Sequence, residues 1–520
     1  MADERDADLI IIGSGAGGGT LVRALAPSGL SILVLERGDY LPREKANWQA
    51  EAVFHAHRYH TREHWRDGAG RAFQPVTGYH VGGNTKLYGA AVLRRRAEDF
   101  VARRHVDGST PHWPIGYAAL SPYYDEAERW YYAHGVAGAD PTEPPRGDYP
   151  WPPFAHEPYI AEVARQLEAL GLHPFPLPLA LDRDAAHPRQ SPCIRCDTCD
   201  GFPCLLHAKG DAETCGVRPA LKYANVHLLP GTRVQRLLTS ADGARVESVE
   251  TLGPQGARRY RARVVVVAAG AVNSAALLLA SANTRHPRGL ANGSDQLGRN
   301  YMCHLNSACI AIDPRRRNPT VFQKTIAIND FYNDAGSADF PYPLGHIQNL
   351  GKVTPAILKA QRPVLPWPLA QWAAQHSLDW WLTTEDLPRP DNRVSLDADG
   401  TIRLHYQPTN EAAHRRLVGR WKGILKQLGY PLVFTQRMGI EAVAHQVGTA
   451  RFGTNPRHSV LDVNCKAHEL DNLYVVDASF MPSIAAVNPS LTIMANALRV
   501  GAHLRQRFAQ GDWHVQAENG

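Results

Sequence analysis

A histidine, a carboxylate and an amide stand close together near the end of this 520-residue chain. His445 opens His445-Gln-Val-Gly-Thr449, Asp477 follows the apolar pair Val475-Val476, and Asn488 opens Asn488-Pro-Ser-Leu-Thr492. Oxidising an alcohol needs a base for the hydroxyl proton and an acceptor for the carbon's hydride. Histidine is the side chain best poised for the first task near neutral pH. An amide such as Asn488 can hydrogen-bond the substrate oxygen and orient it.

The acceptor has a site at the other end of the chain. The β-rich run Leu9-Ile-Ile-Ile12 meets Gly13-Ser-Gly-Ala-Gly-Gly18, which fits G-x-G-x-x-G. A helical pattern follows, then the strand pattern Ser31-Ile-Leu-Val-Leu35 and the acid Glu36. Gly13 allows the tight turn, Gly15 lets the backbone approach a pyrophosphate, and Gly18 lets helix and strand pack closely. The helix N-terminus faces the phosphates, and Glu36 stands where a carboxylate accepts from ribose hydroxyls. This order predicts a dinucleotide site but does not by itself separate FAD from NAD. A second glycine-rich segment, His80-Val-Gly-Gly-Asn-Thr-Lys-Leu-Tyr-Gly89, favours FAD. A nicotinamide enzyme has no need of it, whereas an elongated flavin would lie along it.

The intervening elements fit a sheet that carries such a site. Val226–Leu229 and Arg233–Leu237 read as strands. The continuous apolar run Arg263-Val-Val-Val-Val-Ala-Ala-Gly270 reads as a strand buried on both faces, and a Leu-rich helix to about Ala280 follows it. His346 and Gln348 alternate along a short strand and so share a face. Either they meet substrate or they form a solvated strand face. Trp367, Trp372, Trp380 and Trp381 form an aromatic-rich insert, read as a helical core in preference to a stacking surface for a sugar ring, and a hairpin is expected around Asp399-Gly400.

In their order these segments resemble the glucose–methanol–choline (GMC) flavoprotein oxidoreductases. The specific parts are the two ends, with the Gly82-Gly83 loop, Gly270-Ala-Val-Asn-Ser274 and Leu297-Gly-Arg-Asn300 between them. The resemblance implies an α/β chain with a Rossmann-like FAD-binding domain and a second, antiparallel-sheet substrate domain. It puts the FAD domain at residues 1–100, 190–305 and 441–520, the substrate domain at 306–440, and a connecting cover at 101–189. It implies that Gly13, Ser14, Gly15, Ala16, Gly18, Glu36, Arg37, Gly83, Asn84, Leu87, Val234, Ala269, Asp477, Ala478, Asn488 and Pro489 contact the cofactor. Val234 would meet adenine through its backbone, and Asp477 and Ala478 would lie along the ribityl-phosphate. His445 would take the proton and flavin N5 the hydride.

The form with Asn at the second position is similar to the pyranose-oxidase, cholesterol-oxidase and sugar-dehydrogenase branches. The expected reaction is therefore oxidation of a secondary alcohol of a sugar, glycoside or polyol to a ketone. Oxygen, a quinone or a protein would accept the electrons. Rival readings are oxidation of a non-sugar alcohol, a non-redox lyase on the same fold, and an electron-transfer scaffold. Many relatives attach FAD through a His four residues after the Gly-Gly pair. That position is Leu87, so non-covalent FAD is expected.

Cys193, Cys196, Cys199 and Cys204 give C-x2-C-x2-C-x4-C. So dense a set of thiols can bind an iron–sulfur cluster or zinc, or stand as free thiols. Some sugar dehydrogenases of the family carry a three-iron cluster in this region. The spacing departs from the ferredoxin pattern, so neither metal is assigned.

Composition excludes other classes. The net charge of +6 is mild, and the runs Arg94–Arg96 and Arg315–Arg317 are read as solvated faces, not a nucleic-acid surface. The longest apolar stretch, Val264–Ala280, is broken by Gly270, Asn273 and Ser274 and is no membrane span. The acidic start Met1–Ala7 lacks a basic-then-apolar leader, so a cytoplasmic protein is expected.

Overall fold

The computed structural model describes residues 6–512, so residues 1–5 of the acidic N-terminal stretch and residues 513–520 lie outside the described residues. The run Leu9-Ile-Ile-Ile12 lies in the central strand, Ala7–Ile12, of a five-stranded parallel sheet. Across that sheet the order is Val226–Leu229, Ile32–Leu35, Ala7–Ile12, Ala262–Val267 and Leu473–Val475. Leu9, Ile10, Val264 and Val266 are fully buried. Unbroken apolar runs are what a parallel sheet with both faces covered requires. The cover includes the helices Ala16–Leu25 and Ser490–Ala509, which pack together where Gly501 faces Ala24 and Leu21.

A second sheet is antiparallel throughout. Its order is Leu432–Arg437, Leu305–Ile312, Ser377–Thr384, His346–Asn349, Ile326–Ile328 and Phe175–Pro176. The helix Glu411–Gln427 packs on it through Leu417, Trp421 and Leu425. The segment 101–189 contributes to both cores. Tyr124 and Tyr131 join the core of the parallel sheet, whereas Ile160, Val163 and Leu167 join that of the antiparallel sheet. The hairpin around Asp399-Gly400 forms between Arg393–Leu396 and Ile402–His405, and pairs with Trp65–Asp67 of the N-terminal part.

Two expectations about side chains need correcting. Arg94, Arg95 and Arg96 are not a solvated face: each is only 1% exposed. Arg94 is paired with Glu128 and Asp125, and Arg96 with Asp140. Arg95 lies over the Trp113 ring and donates to the carbonyls of Ser483 and Ile484 at 2.9 Å each. Buried charge is tolerated because carboxylates and carbonyls replace the lost water. Nor do the four tryptophans form one core. Trp380 is buried edge-to-face on Trp421, Trp367 is about half exposed, and Trp381 reaches a cavity wall. Among the described residues no helix is long and apolar enough to cross a membrane.

Glycine is indispensable where strand and helix meet. Gly13 has φ +99°, and a Cβ on Gly17 would fall 1.8 Å from the Val476 carbonyl oxygen. Gly423, inside the helix Glu411–Gln427, has nothing within 4 Å of that position. We therefore expect Gly17→Ala to cause a large loss of thermal stability. Gly423→Ala should raise stability by ~0.5–1 kcal/mol through helix propensity. Thermal melts followed by circular dichroism check both; a tolerated Gly17→Ala would refute the steric argument.

Candidate active site

A cavity of about 1260 Å³ runs from the first glycine turn to the edge of the antiparallel sheet. Of the sequence-predicted cofactor residues, Gly13, Ser14, Gly15, Ala16, Glu36, Arg37, Gly83, Asn84, Leu87, Val234, Ala269, Asp477, Ala478, Asn488 and Pro489 line it. Gly18 does not. Its Cβ would meet the Gly13 carbonyl oxygen at 1.9 Å, so it serves the turn's packing.

At the nucleotide end the two glycine loops face each other. A Cβ on Gly83 would lie 3.0 Å from the Gly15 Cα, and the Gly82 N–H donates to Ser14 Oγ at 3.1 Å. Glu36 Oε2 accepts from the Ser14 N–H at 2.9 Å and Oγ–H at 2.7 Å, while Oε1 accepts from the Gly38 N–H at 2.9 Å. Burial pushes the Glu36 carboxyl up, against the pull of these donors. The carboxylate thus fixes the turn and retains lone pairs toward the cavity. Arg37 is ion-paired with Glu63 and lies over the Tyr79 ring, 3.7 Å from its centroid.

Farther along, Asp477 ties the last strand to the turn at Gly270. Its Oδ2 accepts from the Gly270 N–H at 3.0 Å and from Ser274 Oγ at 2.5 Å, and its Oδ1 from the Ser479 N–H at 2.8 Å. The helix Ser490–Ala509 begins on the cavity wall, and Ser490 Oγ, out of solvent, has no partner. A helix N-terminus and an orphan hydroxyl suit an electron-rich ring edge. Two backbone cradles, a retained carboxylate and this end form one elongated wall, which fits a flavin dinucleotide.

His445 and Asn488 also stand on the cavity wall, both half-buried. Among the described residues the Asn488 amide has no hydrogen-bond partner and is free for a ligand. Burial first, and then the Lys324 ammonium, lower the His445 pKa to about 4 against the opposing pull of Asp200. The imidazole is therefore neutral at pH 7.

Sequence reasoning missed three neighbours. His304 is buried, and its Nδ1 lies 2.9 Å from His445 Nδ1. Lys324 and Asp200 both line the cavity and pair at 2.9 Å. Burial opposes ionisation of Asp200, but the Lys324 ammonium and the Gly351 N–H outweigh it and hold the carboxyl below its usual value. Neither His304 nor Lys324 lies in a motif. The only cue for His304 is its place four residues after Asn300, and Asp200 was hidden inside the cysteine pattern.

His346 and Gln348 do share a face, but a buried one and not a solvated one. Gln348 reaches the cavity; His346 does not. The His346 ring is held between Asn329 Oδ1 at 2.8 Å and Gln348 Oε1 at 3.2 Å, so it supports Gln348 from behind. Cys193, Cys196, Cys199 and Cys204 are free thiols; burial lifts Cys193 to about 11 and Cys199 to about 12. Among the described residues no group of three or more His, Cys, Asp or Glu is arranged to hold a metal ion.

Comparison with known proteins agrees with this geometry. Family models for GMC oxidoreductase match residues 179–306 and 388–497. The chain is 34% identical to 6'''-hydroxyparomomycin C oxidase of Streptomyces lividus, across 96% of this chain and 92% of that protein. It is 33% identical to paromamine 6'-oxidase of Streptomyces fradiae, across 96% and 91%. In fold it is similar to the crystal structure of pyridoxine 4-oxidase from Mesorbium loti, with a TM-score of 0.68 and 21% identity over 96% of this chain and 99% of that one. These likenesses identify the chain: it belongs to the GMC oxidoreductases, FAD-dependent enzymes that act on CH–OH groups.

Proposed function

We propose that this enzyme oxidises a hydroxyl group of an amino sugar or closely related sugar-like molecule to a carbonyl, with His445 as base and Asn488 as the orienting group. The observation that supports this is a neutral imidazole and an uncommitted amide on the wall of one cofactor-sized cavity. His445 accepts the hydroxyl proton while the Asn488 amide holds the same oxygen in place. Gly13–Gly17, Glu36, Gly83, Val234 and Asp477–Ala478 would hold FAD, with Leu87 offering no group for covalent attachment. Bound FAD supplies the two-electron acceptor for the hydride. Oxygen is the favoured final acceptor, because both streptomycete relatives are named oxidases.

Support for an amino sugar comes from those names and from charge. Asp197 and Glu441 are exposed carboxylates on the cavity wall, and among the described residues neither has an ion-pair partner. Such groups favour a cationic substrate at the mouth. One relative is named for oxidation at a 6' position and the other for a substrate with a 6'''-hydroxyl, and carbon six of a hexose carries a primary alcohol. The branch resemblance puts it on a ring carbon, a secondary alcohol. The product decides between an aldehyde and a ketone.

Four outcomes are expected. Anaerobic addition of paromamine-type amino sugars should bleach the flavin band faster than addition of the matching neutral sugars. Equal bleaching by both would remove the amino-sugar specificity, and no bleaching by any alcohol would favour the lyase or scaffold reading. In stopped-flow measurements, His445→Ala should slow flavin reduction by ~10²-fold or more with FAD retained. In the native enzyme that rate should be flat across neutral pH and fall as pH drops through about 4, because only the neutral imidazole accepts a proton. A limb near the ordinary histidine value would contradict the lowered pKa. Finally, acid denaturation should release all the FAD into the supernatant; flavin staying with the precipitated chain would disprove non-covalent binding.

A further inference from the structure

The strand pair Met302–Cys303 and Gln446–Val447 is antiparallel, with Met302 opposite Val447 and Cys303 opposite Gln446. One more step of the same register sets His304 opposite His445. Their rings meet edge to face, with centroids 5.0 Å apart and planes at 87°. The other nitrogen of His304, Nε2, lies 2.9 Å from the carbonyl oxygen of Ala485. His304 itself does not line the cavity.

These contacts determine where the protons are. A carbonyl oxygen only accepts, so His304 Nε2 carries a hydrogen and donates it. The ring is buried, and burial first, then His445, Arg95 and His346, hold its pKa well below the ordinary histidine value against the Ala485 carbonyl. Burial therefore keeps it neutral, and its Nδ1 is bare. The nitrogen 2.9 Å from that lone pair is His445 Nδ1, which must hold the proton between them. A neutral His445 with its hydrogen on Nδ1 has its lone pair on Nε2.

From this chain we infer that His304 is a positioning residue. It selects the His445 tautomer whose Nε2 is the base, and fixes the plane of that ring. The opposite tautomer would set a bare His304 Nε2 against the Ala485 carbonyl, lone pair against lone pair.

The carbonyl at the start of the chain is itself held in place. Ala485 adopts φ +59°, a left-handed conformation unusual for a residue with a side chain. Glu385 accepts from its N–H at 2.7 Å, and buried Arg95 binds the two preceding carbonyls. The order of control runs from Arg95 and Glu385 to the Ala485 carbonyl, then to His304, then to His445.

The inference rests on His445 as base, so the test reads the tautomer separately from activity. In the full-length protein with 15N-labelled histidine, the His445 signals are identified by their loss in His445→Gln. At neutral pH they should show a protonated Nδ1 and a bare Nε2; a protonated Nε2 would overturn the proposal. In kinetics, His304→Leu should slow flavin reduction at saturating substrate by ~10²-fold with KM nearly unchanged. Two amide variants separate positioning from structure. His304→Asn puts an acceptor near the Nδ1 position and should recover rate. His304→Gln puts a donor near the Nε2 position, keeps the Ala485 bond, and should not. Recovery by Gln and not by Asn would mean that His304 is only structural. If His445→Ala retained its rate, the base assignment would fail whatever tautomer the spectra showed.

Discussion

Two sheets of different construction meet at a two-residue ladder, and the geometry of the active site depends on it. Met302–Cys303 leads directly into the strand Leu305–Ile312 of the antiparallel sheet. Gln446–Val447 follows directly on His445. The pairing sets His304 against His445 at the junction of the two cores. A slip of one residue would turn each side chain to the opposite face and separate the two rings. The slip is opposed from both sides: Val447 and Met302 are fully buried, and a Cβ on Gly448 would strike the Asn300 carbonyl at 2.4 Å.

The parallel sheet imposes a different constraint, closeness of backbones. A Cβ on Gly83 would press to 3.0 Å from the Gly15 Cα, at a left-handed φ of +56°, so that loop is held to glycine where the two meet. Lining such a wall with main chain gives many N–H donors in little space, which suits a long anionic cofactor. The cost is that few side chains remain to hold the loops. Glu36 and Asp477 take that task, each accepting hydrogen bonds from a turn and from an adjacent serine. The two carboxylates are thus structural and cofactor-facing together.

The cofactor half was legible in the sequence because its chemistry is local. Strand, glycine turn, helix and acid follow within 36 residues, and spacing alone carries the meaning. Gly18 was read correctly as a packing glycine, although it was also expected to touch the cofactor. The substrate half was less legible because its contacts join distant parts of the chain. Lys324 meets Asp200 across 124 residues, and His304 meets His445 across 141. No periodicity encodes such a pair; only the register of the folded sheets does. The buried Arg94–Arg96 run illustrates the same limit. Charge predicts solvent, but Glu128, Asp125 and Asp140 come from later segments that composition cannot place.

A low pKa on His445, the proposed base, is at first sight a handicap, since a weaker base takes a proton less readily. The balance changes when the other half of the reaction is considered. Loss of the hydride makes the hydroxyl far more acidic as the carbonyl forms, so the base need not be strong at the start. What it must be is unprotonated before substrate arrives and correctly aimed when it does. Burial and the Lys324 ammonium supply the first condition. Asp200 limits the effect by neutralising part of that cation at 2.9 Å. The same lysine would repel the imidazolium once formed, which favours return of the proton to solvent or product after the carbonyl has formed. The ion pair beside His445 therefore favours turnover as well as readiness, and its polarity has to be read together with the tautomer that His304 enforces.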